Sequence, residues 1–431
     1  MALPMILLLV PIFLIPIILH VQRYKTIKSI ALPPGPRGLP FIGNLHQFDY
    51  SNPQNYFWRL SKQYGPMVSL RLGSVPILVV SSAKMAEEVL KTHDLQFCGR
   101  PALVSQQKVS YNGLDVAFAP YNAYWREIRK ICVVHLFNSN RVQSFRPIRE
   151  DYFPSMGWVD NITGMIRRLE RTFKEFDAFH QELIEEHMDP ARIKTEQEDI
   201  VDVLLQLWKQ GGSKVDLTWD HIKAVLMDVL IAGTDTSAAT LIWALTYLMK
   251  NCRVMKKVQE EIRSLIRNKD FVDEDDVEKL SYLRAVVKET LRMQPVAPLL
   301  IPRETTEKCK IDRYEIPQKT RVFVNAWAIG RDPETWENPN EFYPERFIDS
   351  PIDFKGQHFE LIPFGAGRRI CPGIQMGIAT VDLALANLLY KFDWEMPFGM
   401  HNDDLDFDAL PGLAVHKKNP LCLVPRYHYH E

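Results

Sequence analysis

Cys371 lies within Phe364-Gly365-Ala366-Gly367-Arg368-Arg369-Ile370-Cys371-Pro372-Gly373. Gly365, Gly367 and Gly373 allow backbone angles that other residues avoid, so this loop can curl around the sulfur and aim amide N–H groups at it. Such donors, with a helix start just beyond, predict a lowered thiol pKa and a thiolate suited to metal. A second polar spot, Ala232-Gly233-Thr234-Asp235-Thr236-Ser237, interrupts the apolar, helix-periodic stretch 217–250. Thr and Ser there can bond back to a carbonyl four residues earlier, bending the helix and opening a groove. Asp235 has no such local remedy and requires a partner or water. Glu289 and Arg292, in Lys288-Glu289-Thr290-Leu291-Arg292, stand three apart on one helix face, the spacing of an ion pair. Trp125 and Arg129 stand four apart on another. Arg129, Arg303 and Arg369 are all suited to holding carboxylates through two parallel hydrogen bonds.

The elements that must position these residues read as mainly helical with small sheets. Met67-Val68-Ser69-Leu70-Arg71-Leu72 and Ile77-Leu78-Val79-Val80 read as strands about a Gly-Ser turn, and 82–92 as an amphipathic helix. Residues 2–19 are uncharged and almost wholly apolar, about long enough to span a bilayer, and Arg23, Lys25 and Lys28 follow at once. This predicts a transmembrane anchor over 1–21, with the remaining chain cytosolic. A cleaved signal peptide would carry its charges before the apolar run. Residues 22–40 form a basic, proline-rich hinge ending in Leu32-Pro33-Pro34-Gly35-Pro36-Arg37-Gly38-Leu39-Pro40, a stiff spacer. Beyond it the pattern predicts one catalytic domain over 41–431.

Composition is that of a globular protein, with a formal net charge of −1 that predicts no nucleic-acid partner. Residues 1–150 hold 17 Lys and Arg against 7 Asp and Glu. A basic N-terminal third fits either a face toward anionic lipid or an acidic protein, or scattered surface charge. The six cysteines lie far apart without a CxxC pair, which argues against disulfides and zinc and for a reducing compartment.

The Cys371 string resembles the haem-binding loop of the cytochrome P-450 family, Phe-x-x-Gly-x-Arg-x-Cys-x-Gly, at every specified position. The chain is similar to that family along its length, and in detail to plant microsomal members: Phe41-Ile42-Gly43-Asn44-Leu45, Gly99-Arg100-Pro101 and Asn325-Ala326-Trp327-Ala328 read that way. Among them it looks most like the group containing aldoxime-oxidising enzymes. The resemblance implies heme b with Cys371 as the axial ligand of iron. Phe364, Arg369, Trp125, Arg129 and Arg303 would hold the cofactor, and Asp235 and Thr236 would conduct protons to bound dioxygen. It also implies a buried structural set of Glu289, Arg292 and Arg346, the last in Pro344-Glu345-Arg346-Phe347. Electrons would come from NADPH through a reductase, with Arg126 and Lys130 as docking charges. The enzyme would sit in the endoplasmic reticulum membrane, in contact with lipid, and insert one atom of O2 into a small apolar plant metabolite.

The chain departs from the family in length. Plant members are longer by roughly 70 residues, and the shortfall falls near 150–155. Ser144-Phe145-Arg146-Pro147-Ile148-Arg149 resembles the start of the family's fourth major helix, and Gly157-Trp158-Val159-Asp160-Asn161 the connection after its sixth. Most of three helices would be absent, which leaves open a catalytically impaired or silent haem-binding form. A reductase-independent isomerase or dehydratase is a further alternative, disfavoured by the intact Asp235-Thr236 pair. Loss of two flanking helices predicts that Leu226, Leu230, Leu241 and Leu245 on the long helix lack cover.

Overall fold

A computed structural model describes residues 31–137, 165–192, 198–211, 214–267 and 269–428. The anchor 1–21, hinge residues 22–30 and the junction near 150–155 lie outside the described residues. Two compact units emerge, one reaching Gly99 and including Pro302–Asn325, the other comprising Arg100–Ile301 and Ala326–Glu431.

In the first unit, helix α1 (Pro53–Tyr64) begins with Pro53 at its first position and Asn52 as cap, the Asn52 side chain accepting from the Asn55 N–H at 3.2 Å. The predicted strand pair forms an antiparallel hairpin, β1 (Met67–Leu72) and β2 (Val75–Val80). Strands β3 (Arg303–Glu304), β4 (Cys309–Ile311), β5 (Tyr314–Ile316) and β6 (Arg321–Val324) come from far along the chain. β6 joins β2 in parallel and β3 in antiparallel register, giving the order β1-β2-β6-β3. Val68, Val79 and Val80 are fully buried on this sheet, as β-branched side chains on a packed pleat should be. The proline-rich segment lies against the sheet: the Ser69 N–H donates to Pro34 O at 3.0 Å, and a Cβ on Gly35 would fall 1.8 Å from Ser69 O. Glycine is required at that approach.

The second unit is helical. Its helices are α2 (Ala123–Ile131), α3 (Met165–Met188), α4 (Ile200–Gln210), α5 (Trp219–Lys250), α6 (Cys252–Leu265), α7 (Ser281–Met293) and α8 (Ile374–Lys391). Short strands β7 (Phe392–Glu395) and β10 (Val424–Tyr427) pair, as do β8 (Ala409–Leu410) and β9 (His416–Lys417). α5 is apolar along most of its length because it serves two cores. One is built from Leu248, Val258, Leu283, Val286, Leu385 and Leu389, the other from Ile128, Leu136, Val201, Leu204, Val225 and Leu226. α5 is long and apolar enough to cross a membrane, and this packing between helices accounts for that composition.

The expected lack of cover on α5 is corrected in part. Leu226 is buried in one core with Val201, Leu204 and Leu205 of α4, and Leu245 is buried in the other core; Leu230 and Leu241 are half-buried. On α8, Val381, Leu385 and Leu389 are buried, while Ile378, Leu383 and Leu388 are covered only in part.

Asp382, also on α8, is 4% exposed, and its Oδ1 makes no hydrogen bond. Burial pushes its carboxyl up to about 7, with Arg284 opposing weakly. The folded chain therefore keeps this proton where the unfolded chain releases it, so stability falls as pH rises from about 4 to about 7. Asp382→Asn should raise the denaturation midpoint at pH 8 by the equivalent of a few kcal/mol, since each tenfold change in acidity is worth about 1.4 kcal/mol, and by much less at pH 5. Equal effects at both pH values would show that the group is ionised in the fold.

Candidate functional site

The Cys371 loop is shaped by two residues in left-handed backbone, Gly365 at φ +71° and Gly367 at φ +69°; Gly373, at φ −91°, needs no such freedom. The Cys371 N–H donates to Phe364 O at 3.0 Å, closing the loop, and the Phe364 ring meets Phe354 edge-on at 5.4 Å. The thiol pKa is not lowered, contrary to the sequence expectation. Burial pushes it up, and the Gly373 N–H and the Arg129 guanidinium only partly offset that. The predicted donors are in place, but desolvation outweighs them.

Trp125, Arg129 and Arg369 come together beside this loop. The Arg369 guanidinium lies 4.1 Å and the Arg129 guanidinium 5.4 Å from the Trp125 ring centroid. Arg129 Nη2 donates to Ile370 O at 2.6 Å, Arg369 Nη2 to Ala119 O at 2.7 Å, and Trp125 Nε1 to Val116 O at 2.9 Å. Arg303 belongs to the other unit, where it is buried with Nη1 3.0 Å from Asp94 Oδ1.

Sequence reasoning missed the segment that orients Trp125 and Arg369. Along residues 114–119, the Val116 and Ala117 N–H groups donate to Asp228 Oδ2 at 2.7 and 3.3 Å, and the Phe118 N–H to Asp115 Oδ1 at 3.0 Å. The carbonyls of the same segment accept from Trp125, Arg369 and, at Ala117, Arg100 Nε at 2.9 Å. Burial raises the pKa of both aspartates. The signal available in sequence was an acid inside an apolar helical run, Val225-Leu226-Met227-Asp228-Val229-Leu230.

On α5 the polar turn behaves as expected. Thr236 Oγ1 donates to Ala232 O at 2.6 Å and Ser237 Oγ to Gly233 O at 2.8 Å. Asp235 has found a partner, His416 of β9, at 3.0 Å. Glu289, Arg292 and Arg346 form the expected three-way set. Arg292 Nε and Nη2 reach the two Glu289 oxygens at 2.7 and 2.8 Å, and Arg346 Nε reaches Oε1 at 3.1 Å. The Tyr343 N–H adds a bond to Glu289 Oε1 at 2.8 Å, and Arg292 Nη1 one to Pro339 O at 2.8 Å.

The residues fit a flat, anionic, metal-bearing group. Ala232 and Gly233 are exposed in the middle of an otherwise packed helix, and a Cβ added to Gly233, Gly373 or Gly377 would meet no atom within 4 Å. Open space thus borders the polar turn and the residues after Cys371, with guanidinium groups and a thiol at hand.

The Cytochrome P450 family profile matches residues 33–157 and 151–424, and the chain belongs to this family. It is 48% identical to 6,7,8-trihydroxycoumarin synthase of Pastinaca sativa, over 93% of this chain and 94% of that one. It is 42% identical to strychnine-11-hydroxylase of Strychnos nux-vomica, over 94% and 93%. A zebra fish cytochrome P450 structure with progesterone shares the fold at a TM-score of 0.73 with 26% identity, covering 87% of this chain and 99% of that one. The protein is thus a monooxygenase that carries heme b on a thiolate and takes electrons from a reductase, with O2 and a small organic substrate.

Two substitutions test the geometry. Glu289→Ala strands the buried Arg292 guanidinium and removes a partner of the half-buried Arg346, and should cost about 3–5 kcal/mol in denaturant unfolding, the range for breaking a buried pair. Asp228→Ala should cost about 1–3 kcal/mol for each N–H it orphans, and Asp228→Asn less, because an oxygen acceptor remains. Losses under about 0.5 kcal/mol would show that these groups find other partners.

Proposed function

We propose that Cys371 is the axial ligand of the haem iron, with Trp125, Arg129 and Arg369 holding the cofactor's carboxylates. The reading rests above all on the convergence of these cations beside the one cysteine in a glycine-shaped loop. Bound heme supplies the dioxygen chemistry that places one oxygen atom in the substrate. The chain's own part would be to seat that group, to hold the sulfur for the iron, and to bring protons along Asp235 and Thr236. Thr236 Oγ1 spends its hydrogen on Ala232 O, which leaves its oxygen free to accept from water. Phe364 backs the loop through its carbonyl, and Glu289, Arg292 and Arg346 brace the fold. Arg303 would take a carboxylate only by sharing its guanidinium with Asp94.

The substrate would be a small, apolar plant metabolite. Relatives named for coumarin, xanthotoxin and strychnine chemistry support an aromatic one. Residues 1–21 would anchor the enzyme in the endoplasmic reticulum membrane, against lipid, with 41–431 in the cytosol and no nucleic acid bound. An NADPH reductase would dock on charges such as Arg126 and Lys130. Incubation with such a reductase, NADPH, labelled dioxygen and a panel of hydroxycoumarins should give a product one labelled oxygen heavier. Unlabelled product, or product formed without NADPH, would point to the isomerase or dehydratase reading. Thr236→Ala should keep haem but divert NADPH to hydrogen peroxide; unchanged product per NADPH would make the polar turn structural.

A second reading concerns the short junction. The match to the coumarin relative runs over 480 positions, more than the chain's 431 residues, so that relative carries internal residues with no counterpart here. The family profile also breaks into two stretches that meet at 151–157. These support an impaired form. Inserting the relative's segment after Arg149 should raise both the thermal midpoint and haem occupancy; equal values would show that the shorter chain packs fully.

A further inference from the structure

We propose that His416 delivers protons from solvent to Asp235, an inference that rests on the proton-relay reading of Asp235 and Thr236. Asp235 sits on α5 with a side chain only 10% exposed, whereas the His416 side chain is 23% exposed and holds Nε2 3.0 Å from Asp235 Oδ2. The contact joins an imidazole nitrogen to a carboxylate oxygen, two groups that can pass one hydrogen between them. Imidazole can give a proton at one nitrogen and take one at the other, at a pH where a carboxylate alone is rarely reloaded. The step balances simply. A proton taken from solvent hydronium at Nδ1 makes the ring an imidazolium; the N–H bond at Nε2 then breaks as an O–H bond forms at Oδ2, leaving a neutral ring protonated at Nδ1 that returns to its starting tautomer by exchange with solvent.

The position of His416 is set by its neighbours rather than by chance contact. The adjacent Val415 is pinned twice: its N–H donates to Val296 O at 2.8 Å, and its carbonyl accepts from Trp243 Nε1 of α5 at 3.1 Å. Trp243 and Asp235 lie eight residues apart on α5, about two turns, so one helix both anchors the β9 segment and presents the acid to it. In the β8–β9 ladder His416 stands opposite Leu410, and Ala409 opposite Lys417. The charged neighbours are engaged elsewhere: Lys417 Nζ reaches Asp406 Oδ1 at 2.9 Å, and Lys418 Nζ lies 3.9 Å from Asp408 Oδ2. Asp235 is the carboxylate that the structure places at Nε2 of His416.

The test uses the haem-loaded full chain with reductase, NADPH and a hydroxycoumarin probe. His416→Gln can still donate to Asp235 but cannot pass a proton on. It should retain haem content and thermal midpoint, form severalfold less product per NADPH, release more hydrogen peroxide and show a larger solvent deuterium isotope effect. Unchanged coupling in His416→Gln, with coupling lost in Asp235→Asn, would overturn the role of His416 alone. Unchanged coupling in Asp235→Asn would overturn the relay reading and this proposal together. A readout without turnover is the side-chain nitrogen resonance of His416 in labelled protein. Its titration midpoint should fall in Asp235→Asn, since the carboxylate favours the imidazolium. A midpoint that does not move would overturn the proposal.

Discussion

Burial raises the pKa of the Cys371 thiol, although its proposed role calls for a sulfur anion, and the groups around it answer that conflict. The Gly373 N–H and the Arg129 guanidinium already favour the charged form. A cation placed on the sulfur would complete the compensation, because a coordinating thiol is deprotonated outright. The thiolate is in that sense conditional on the cofactor. The chain alone holds a buried thiol; in the proposed seating the occupied site would hold a thiolate ligand.

The same economy governs the cations. Arg129 and Arg369 lie against one tryptophan ring and are aimed by backbone carbonyls, Arg129 by Ile370 of the cysteine loop and Arg369 by Ala119 of a short segment tied to the central helix through Asp228. Guanidinium is weakly hydrated and planar, so it tolerates such stacking while keeping donors for a carboxylate. In the proposed seating, the Arg369 side of the cofactor's anionic edge would thus depend on hydrogen bonds made by α5. That helix also carries the polar turn with Asp235 and Thr236. Displacing it would disturb seating and proton supply at once.

Much of this was legible in the sequence. The hairpin of β1 and β2 and the polar turn of α5 follow from local spacing, whereas the Glu289–Arg292–Arg346 set and the Trp125–Arg129–Cys371 grouping were implied by the resemblance of ordered motifs to the family. Local patterns fail where a partner is supplied by the fold. His416 stands 181 residues beyond Asp235, and nothing in its own neighbourhood marks it. Asp94 as the partner of Arg303, and the docking of the proline segment on the sheet, are likewise products of tertiary packing. The thiol pKa was misjudged for a related reason: donors can be counted along the chain, whereas burial is a property of the folded molecule. Cover for Leu226 by α4 belongs to the same class.

The central claim is that Cys371, alone among the six cysteines, ligates the haem iron. The most direct measurement is the reduced, carbon-monoxide difference spectrum of the expressed chain beside Cys371→Ala. The account predicts the thiolate-type band in the parent and in substitutions of Cys98, Cys132, Cys252, Cys309 and Cys422, and its loss in Cys371→Ala. A thiolate-type band that survives Cys371→Ala would contradict it.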